Sequence, residues 1–219
     1  MSVKRAIAIL TLAVVVALGG LSLTRHMIAV AGEADVERLN RSILEYVAQK
    51  NPQAPIHAFR RFPEALIKEA QLTNIDHCLA LAQAEVESEF KHDAVGAAGE
   101  IGLYQIKPST AVILERVAGP FKRPSATGNT KGPRDLGDLA DPVVSTHFAM
   151  TYLRDIMKRK PTIREALTEY NGGPNGRHPH YYRMVMGAYV EVLEHQELRC
   201  RYRETPKQQM PLITLLGVS

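Results

Sequence analysis

Residues 81–111, LAQAEVESEFKHDAVGAAGEIGLYQIKPSTA, constrain the fold of this chain more than any other segment. Small side chains surround Glu87 in a pattern typical of a closely packed helix, and three glycines then break the chain into a loop. A second helix is predicted to begin at Pro108, because proline is favoured in the first turn of a helix. A lone acid near the end of a packed helix, beside a glycine-rich turn, is suited to line a groove as a general acid.

Helical spacing of apolar residues continues on both sides of this segment. Between residues 33 and 50 it indicates a stalk helix, which either packs on the main domain or spaces it from a membrane. Further helices are predicted to begin after Asp76, at Asp141-Pro142 and at Thr162, since aspartate, threonine and proline favour helix starts. The chain shows no repeats and no convincing strand alternation, so we expect a mainly α fold.

The N-terminus predicts passage across or into a membrane. Lys4 and Arg5 precede an uncharged run over 6–23, which as a helix would reach about 27 Å, near the hydrocarbon thickness of a bilayer. Ala29-Val30-Ala31 is typical of a signal cleavage site. A cleaved signal peptide and an uncleaved anchor both remain open. Either one predicts a periplasmic location, because the positive flank stays cytoplasmic.

Composition and cysteine use narrow the classes of partner. The formal net charge of +4 mildly favours anionic partners such as wall polymers or a membrane surface. Nucleic acid is not expected, because no arginine-rich arm or basic strand with interleaved aromatic residues occurs. Cys78 and Cys200 would pair in an oxidising compartment, although their separation in space is open. His178 and His180 lack a third ligand at metal-site spacing, so no metal is expected.

Glu87 differs from its neighbouring acids when the helix is viewed along its axis. Glu85 and Glu89 are four residues apart and share one edge, whereas Glu87 lies on the opposite edge beside Ala84 and Phe90. Small neighbours leave space for a ligand, and a nearby ring removes water, which raises the pKa of a carboxyl group. A single helical glutamate is more often a solvated surface residue, so the assignment depends on the motifs that follow.

Three motifs in order resemble the lytic transglycosylases of bacterial cell walls, the soluble-lytic-transglycosylase type of the lysozyme-like superfamily. The motifs are E-S-x-F at 87–90, G-x-x-G-L-x-Q-I-x-P-x-T-A at 99–111, and Glu-Tyr-Asn-Gly-Gly at 169–173, where the family usually has Ala-Tyr-Asn-Ala-Gly. The resemblance covers roughly residues 62–190. It implies a lysozyme-like α fold with a groove between the Glu87 helix and the Tyr170 region.

The resemblance also implies a reaction. Glu87 would act first as acid and then as base on the β-1,4 bond between N-acetylmuramic acid and N-acetylglucosamine in peptidoglycan. The C6 hydroxyl of the muramic acid would then close a 1,6-anhydro ring, so the enzyme is a lyase and no cofactor is expected. Two alternatives stay open. One is a muramidase that uses Asp93 or Glu100 as a second acid, and the other is an inactive wall-binding or scaffold protein.

Several other residues are candidates for contact with the glycan strand. Tyr104 would stack on a sugar or lie in the core, and Asn171 is expected mainly to end its helix. Late in the chain, the Tyr181-Tyr182 doublet leaves the register of the groove-lining aromatic open, and Tyr182 is preferred. The sequence departs from the family at Gly96, where serine is frequent, and at Glu100, where a small or apolar residue is usual. The substrate-binding candidates are Ser88, Tyr104, Gln105, Tyr170, Asn171 and Tyr182.

These patterns divide the chain into four parts. Residues 1–31 form a signal peptide or anchor, 32–61 a stalk helix and linker, 62–195 the catalytic domain, and 196–219 a C-terminal tail. The expected partners are peptidoglycan glycan strands and, if the leader is uncleaved, the inner membrane. An envelope-spanning machine is a further candidate partner, with the polar loop at 119–140 and the basic tail as docking surfaces.

Overall fold

The computed structural model describes residues 32–125, 135–176 and 179–201, and these fall into two units. In the first unit, residues 32–40 are helical and Arg38 pairs with Asp35. Among all described residues, no helix combines the length and apolar character that membrane crossing requires.

Some predictions lie outside the described residues. The signal or anchor at 1–31 is among them, as are the cluster around His178 and the tail beyond residue 201.

The second unit, from Arg41 onward, is built of helices, and its described residues contain no β-strand. This confirms the predicted mainly α fold. Two short 3₁₀ helices accompany the α-helices, at Gly137–Ala140 and Gln196–Leu198. In chain order the α-helices are α1 (41–50), α2 (Ile56–Phe59), α3 (Phe62–Thr73), α4 (His77–Ser88), α5 (Pro108–Ala118), α6 (Pro142–Met157), α7 (Ile163–Gly172) and α8 (Pro179–Glu194).

Helix α4 is mostly buried and packs most extensively against α8. Its small residues Ala80, Ala82 and Ala84 are fully buried, which allows neighbouring helices to approach closely. The predicted N-cap is confirmed, because the Asp76 side chain accepts a hydrogen bond from the Cys78 amide at 3.1 Å.

Helix α4 ends at Ser88. Both Glu89 and Phe90 have positive φ, at 51° and 57°, in the left-handed region that non-glycine residues rarely adopt. This reversal turns the Phe90 ring into the core, where it has no exposed surface. It also fixes the place at which the helix carrying Glu87 stops.

Helix α1 packs against the back of α4. The Tyr46 hydroxyl donates to Glu85 Oε2 at 2.6 Å, and Lys50 Nζ lies 2.8 Å from Glu85 Oε1 and 2.6 Å from Glu191 on α8. Ile43 is fully buried. The compact unit therefore begins at Arg41, ahead of the boundary predicted at residue 62, and this portion of the predicted stalk packs on the domain.

A disulfide between Cys78 and Cys200 joins the start of α4 to the end of the described chain, with a Cα–Cα distance of 5.6 Å. This resolves the pairing that the sequence left open. Leu198 is buried beside it, so residues 196–201, predicted as the beginning of a tail, belong to the folded unit.

The loop predicted at 119–140 has both of its described ends held together. The Ser125 amide donates to the Asp135 carbonyl at 3.0 Å, and the Asp138 amide donates to the Lys122 carbonyl at 2.9 Å. Residues 126–134 lie outside the described residues. The loop thus leaves and re-enters the domain at one point.

Loss of the disulfide is expected to destabilise the domain. The bridge closes a segment of 122 residues, and the loss of such a constraint costs about 2–4 kcal/mol of unfolding free energy. Urea denaturation of the Cys78→Ala/Cys200→Ala variant should show this decrease, and a reductant should lower the wild-type midpoint but leave that of the variant unchanged. Equal midpoints for wild type and variant would contradict a stabilising bridge.

Candidate active site

A groove of about 540 Å³ runs past Glu87, which contributes to its lining. Three segments meet there: the end of α4, the loop over residues 96–107, and the C-terminus of α7 around Tyr170. A smaller cavity of about 260 Å³ lies against Glu87 and is lined also by Tyr181 and Met184 of α8. Glu87 faces both spaces, so a chain-like ligand can pass across its carboxyl group.

The Glu87 carboxyl is held in an environment that favours its protonated form. Burial raises its pKa from 4.5 to about 7, and the negative charge of Glu100 acts in the same direction. The Tyr181 hydroxyl opposes this, because it donates to Glu87 Oε1 at 2.6 Å and stabilises the ionised form. Among the described residues, no cation lies within ion-pair distance of Glu87. Near neutral pH the group is therefore divided between its acid and base forms.

Tyr181, the member of the doublet that the sequence analysis did not prefer, reaches Glu87. Helix α8 buries a row made of Tyr181, Val185, Tyr189 and Val192, and beside that row it also buries Tyr182 and Met186. Tyr182 and Met186, together with Tyr189, also recur at helical spacing, so spacing alone does not fix the register. The sequence analysis left the register of the doublet open, because the hydrogen bond from Tyr181 to Glu87 joins distant segments and has no local signal.

Tyr182 lies elsewhere. Its side chain is buried, and the Arg164 guanidinium of α7 lies over its ring, 4.8 Å from the centroid. It lines neither of the two spaces beside Glu87. We therefore assign the position next to the acid to Tyr181 in place of Tyr182.

Tyr170 lines the groove with its ring, while its hydroxyl points into the protein. The hydroxyl donates to the Tyr104 carbonyl at 3.0 Å. The ring lies parallel to that of Tyr181, at 6.4 Å between centroids, and packs on Tyr152 at 5.2 Å. Asn171 follows in the last turn of α7 and also lines the groove.

Gln105 borders the groove in a strained backbone position, with φ at 48°. Its amide nitrogen donates to the Gly102 carbonyl at 3.0 Å and to the Ala94 carbonyl at 3.3 Å. Gly102 itself has φ at 86°, and a Cβ there would lie 1.9 Å from the Leu139 carbonyl oxygen. The tight turn at 102–105 therefore requires glycine, and it is what places Gln105 at the groove.

Ser88 and Tyr104 lie beneath the groove rather than in it. The Ser88 hydroxyl donates to the Leu103 carbonyl at 2.9 Å, which ties α4 to the loop. The Tyr104 side chain has no exposed surface, and its amide donates to Ser145 Oγ at 3.3 Å. Of the two alternatives for Tyr104, the structure supports a core residue, because a fully buried ring cannot stack on a sugar.

Of the two possible second acids, Glu100 lines the groove and Asp93 does not. Glu100 accepts a hydrogen bond from the Ala98 amide at 3.0 Å and lies 3.4 Å from Lys107 Nζ. Burial raises the pKa of Glu100, but backbone amides and Lys107 outweigh that effect and hold it below its usual value. Glu100 is therefore ionised at pH values at which Glu87 keeps its proton.

Potential metal ligands also come together at Asp76, His77 and Cys78, whose ligand atoms lie within 4.8 Å of one another. The Cys78 sulfur belongs to the disulfide, and Asp76 Oδ2 accepts a hydrogen bond from the Tyr189 hydroxyl at 2.6 Å. These atoms serve as a cap and a cross-link, so we assign no metal to them.

The contact between Tyr181 and Glu87 predicts how the acid titrates. In Tyr181→Phe the carboxylate loses the donor that stabilises it, so the pKa of Glu87 should rise above about 7. In the control variant Tyr182→Phe the pKa of Glu87 should stay unchanged, because Tyr182 contacts Arg164 rather than Glu87. Carbon-detected NMR titration, assigned with Glu87→Gln, measures both. An equal titration midpoint in wild type and Tyr181→Phe would show that this hydrogen bond does not tune the acid.

Comparisons with known proteins found a similar solved structure and a matching family model. A solved structure of the lytic transglycosylase Slt from Pseudomonas aeruginosa, an inactive mutant, is 22% identical with a TM-score of 0.48. The alignment covers 71% of this chain but 28% of that one. No curated protein matches the chain. Residues 64–180, more than half of the sequence, match the model of the transglycosylase SLT domain. The chain therefore belongs to the transglycosylase SLT domain family.

Proposed function

We propose that this protein is a peptidoglycan lytic transglycosylase that cleaves the β-1,4 bond between N-acetylmuramic acid and N-acetylglucosamine. The observation that carries the proposal is Glu87, a carboxyl group that lines two spaces and whose pKa burial raises to about 7. Family membership supports the reaction class, and the burial and position of Glu87 support its role as the acid. No cofactor is needed for this chemistry.

In the first step protonated Glu87 donates to the oxygen of the scissile bond. Donation by a positioned acid is most effective when its pKa lies near the working pH, and burial brings Glu87 there. The bond from the muramic acid C1 to that oxygen breaks, and the N-acetylglucosamine leaves as an alcohol. Glu87 is then a carboxylate, and Tyr181 stabilises it through its hydroxyl.

In the second step Glu87 acts as the base. It takes the proton of the muramic acid C6 hydroxyl, whose oxygen bonds to C1 and closes the 1,6-anhydro ring. The nucleophile belongs to the substrate and benefits from intramolecular proximity, so no second carboxylate is required. Glu87 ends the cycle protonated and the atoms balance without water.

A muramidase is the second candidate, because Glu100 is an ionised carboxylate that lines the same groove. It could orient a water molecule toward C1, which would give a reducing end instead of an anhydro ring. The two reactions differ by one water in their products.

Purified peptidoglycan digested with the protein tests both candidates by mass spectrometry. Wild type should yield anhydro-muropeptides, and Glu87→Gln should lower their rate of formation by about a hundredfold or more. Asp93→Asn removes an acid outside the groove and should retain wild-type activity. Hydrated reducing ends would establish the muramidase, and undiminished turnover by Glu87→Gln would overturn both.

We further propose a periplasmic location, supported by the Cys78–Cys200 disulfide, since such bonds persist in oxidising compartments. Tethering to the inner membrane and service to an envelope-spanning machine stay predictions from the sequence.

The loop at 119–140 offers a place to test service to such a machine, because Ser125 and Asp135 are hydrogen-bonded where the described ends of the loop meet. Replacing 126–134 with a short glycine linker should retain cleavage and weaken capture of such a machine; loss of cleavage alone would count against docking by this loop.

A further inference from the structure

Hydrogen-bond acceptors converge at one point of the groove wall, beside Gly96. The Gln105 amide nitrogen donates to two backbone carbonyls, those of Ala94 and Gly102, and carbonyl oxygens only accept. This fixes the orientation of the amide, because the reverse one would place its oxygen against two other acceptors. The remaining atom, Gln105 Oε1, is an acceptor.

The Glu100 carboxylate reaches the same point. A Cβ built on Gly96 would lie 2.5 Å from Glu100 Oε2 and 2.6 Å from Gln105 Oε1. Because residue 96 is glycine, these two oxygens occupy the space that a side chain would fill. All three residues line the groove that contains Glu87. The wall therefore carries a negative charge and a neutral acceptor side by side.

The chemistry of this pair selects the group that fits it. A sugar hydroxyl or an acetamido N–H supplies one hydrogen for two acceptors, whereas a protonated amine supplies three hydrogens and the matching charge. Lys107 is the neighbouring cation, but its Nζ is 3.4 Å from Glu100 Oε1 and its side chain is 50% exposed. A solvated ion pair of this kind contributes little free energy, so an ammonium group of the ligand can displace Lys107 from Glu100.

We propose that Glu100 is a specificity-determining residue that, with Gln105 Oε1, binds the protonated 2-amino group of an unacetylated sugar in the glycan strand. This rests on the proposed function, since the ligand is the strand that Glu87 cleaves. Glu100 takes no part in the proton transfer. Partly de-N-acetylated strands are the preferred substrates, and fully acetylated strands form no charge-assisted hydrogen bond with Glu100.

Binding is tested in the full chain carrying Glu87→Gln, which keeps the groove and suppresses turnover. The probes are a glucosamine tetrasaccharide and an N-acetylglucosamine tetrasaccharide at mildly acidic pH, measured by calorimetry. Adding Glu100→Gln should weaken binding of the glucosamine probe about tenfold, the loss expected for one charge-assisted hydrogen bond. Binding of the acetylated probe should change less than about twofold.

The matched control is Asp93→Asn in the same background. It removes an equal charge from an exposed residue that does not line the groove. It should leave both affinities unchanged. An equal loss with Asp93→Asn would assign the effect to overall charge, and equal losses for both probes with Glu100→Gln would make Glu100 a general contact. Either result overturns the proposal, as does failure of the glucosamine probe to bind.

Cleavage assays separate this proposal from the proposed function. Wild type should digest partly de-N-acetylated peptidoglycan faster than the same material after chemical N-acetylation, and Glu100→Gln should remove the difference. Cleavage of both materials at one rate would overturn the specificity and leave the transglycosylase standing. Amine-selective binding without any cleavage would support the specificity and contradict the transglycosylase.

Discussion

The site depends on one constraint, the burial of an acid that forms no ion pair with any of the described residues. Glu85 and Glu87 lie two residues apart on α4, yet their surroundings differ. Glu85 contacts Lys50 and the Tyr46 hydroxyl, whereas Glu87 has the Tyr181 hydroxyl and the negative charge of Glu100 as neighbours. The contacts of Glu85 fasten the helix. Burial, assisted by the charge of Glu100 and opposed by the Tyr181 hydroxyl, raises the pKa of Glu87, the carboxyl that faces the groove.

The remainder of the domain keeps α4 in position while that acid stays partly buried. The disulfide and the Asp76 cap hold its first turn, and α1 holds its back. At its end, the left-handed pair of residues stops the helix, and Ser88 binds the loop that carries Gln105. These contacts are distributed along the whole helix, so Glu87 is fixed relative to both walls of the groove.

The helices and the acid could be predicted because their signals are local. Asp76, Pro108 and Asp141 begin helices at the expected places, and Glu87 occupies a helix edge set by spacing alone. Contacts between distant segments carry no such signal. The Tyr170 hydroxyl binds a backbone carbonyl far along the chain, and Tyr104 is covered by elements that come together only in the folded protein. The doublet was misassigned because a shift of one residue on a helix changes the face.

The central claim is that Glu87 donates a proton because burial holds its pKa near neutrality. The most direct measurement is the pH dependence of kcat/KM on peptidoglycan. For wild type, kcat/KM should fall as pH rises through about 7, where Glu87 loses its proton. In Tyr181→Phe the same fall should move to higher pH, since the ionised form is less stabilised. A profile without a fall above neutral pH, or one that Tyr181→Phe leaves unmoved, would contradict the account.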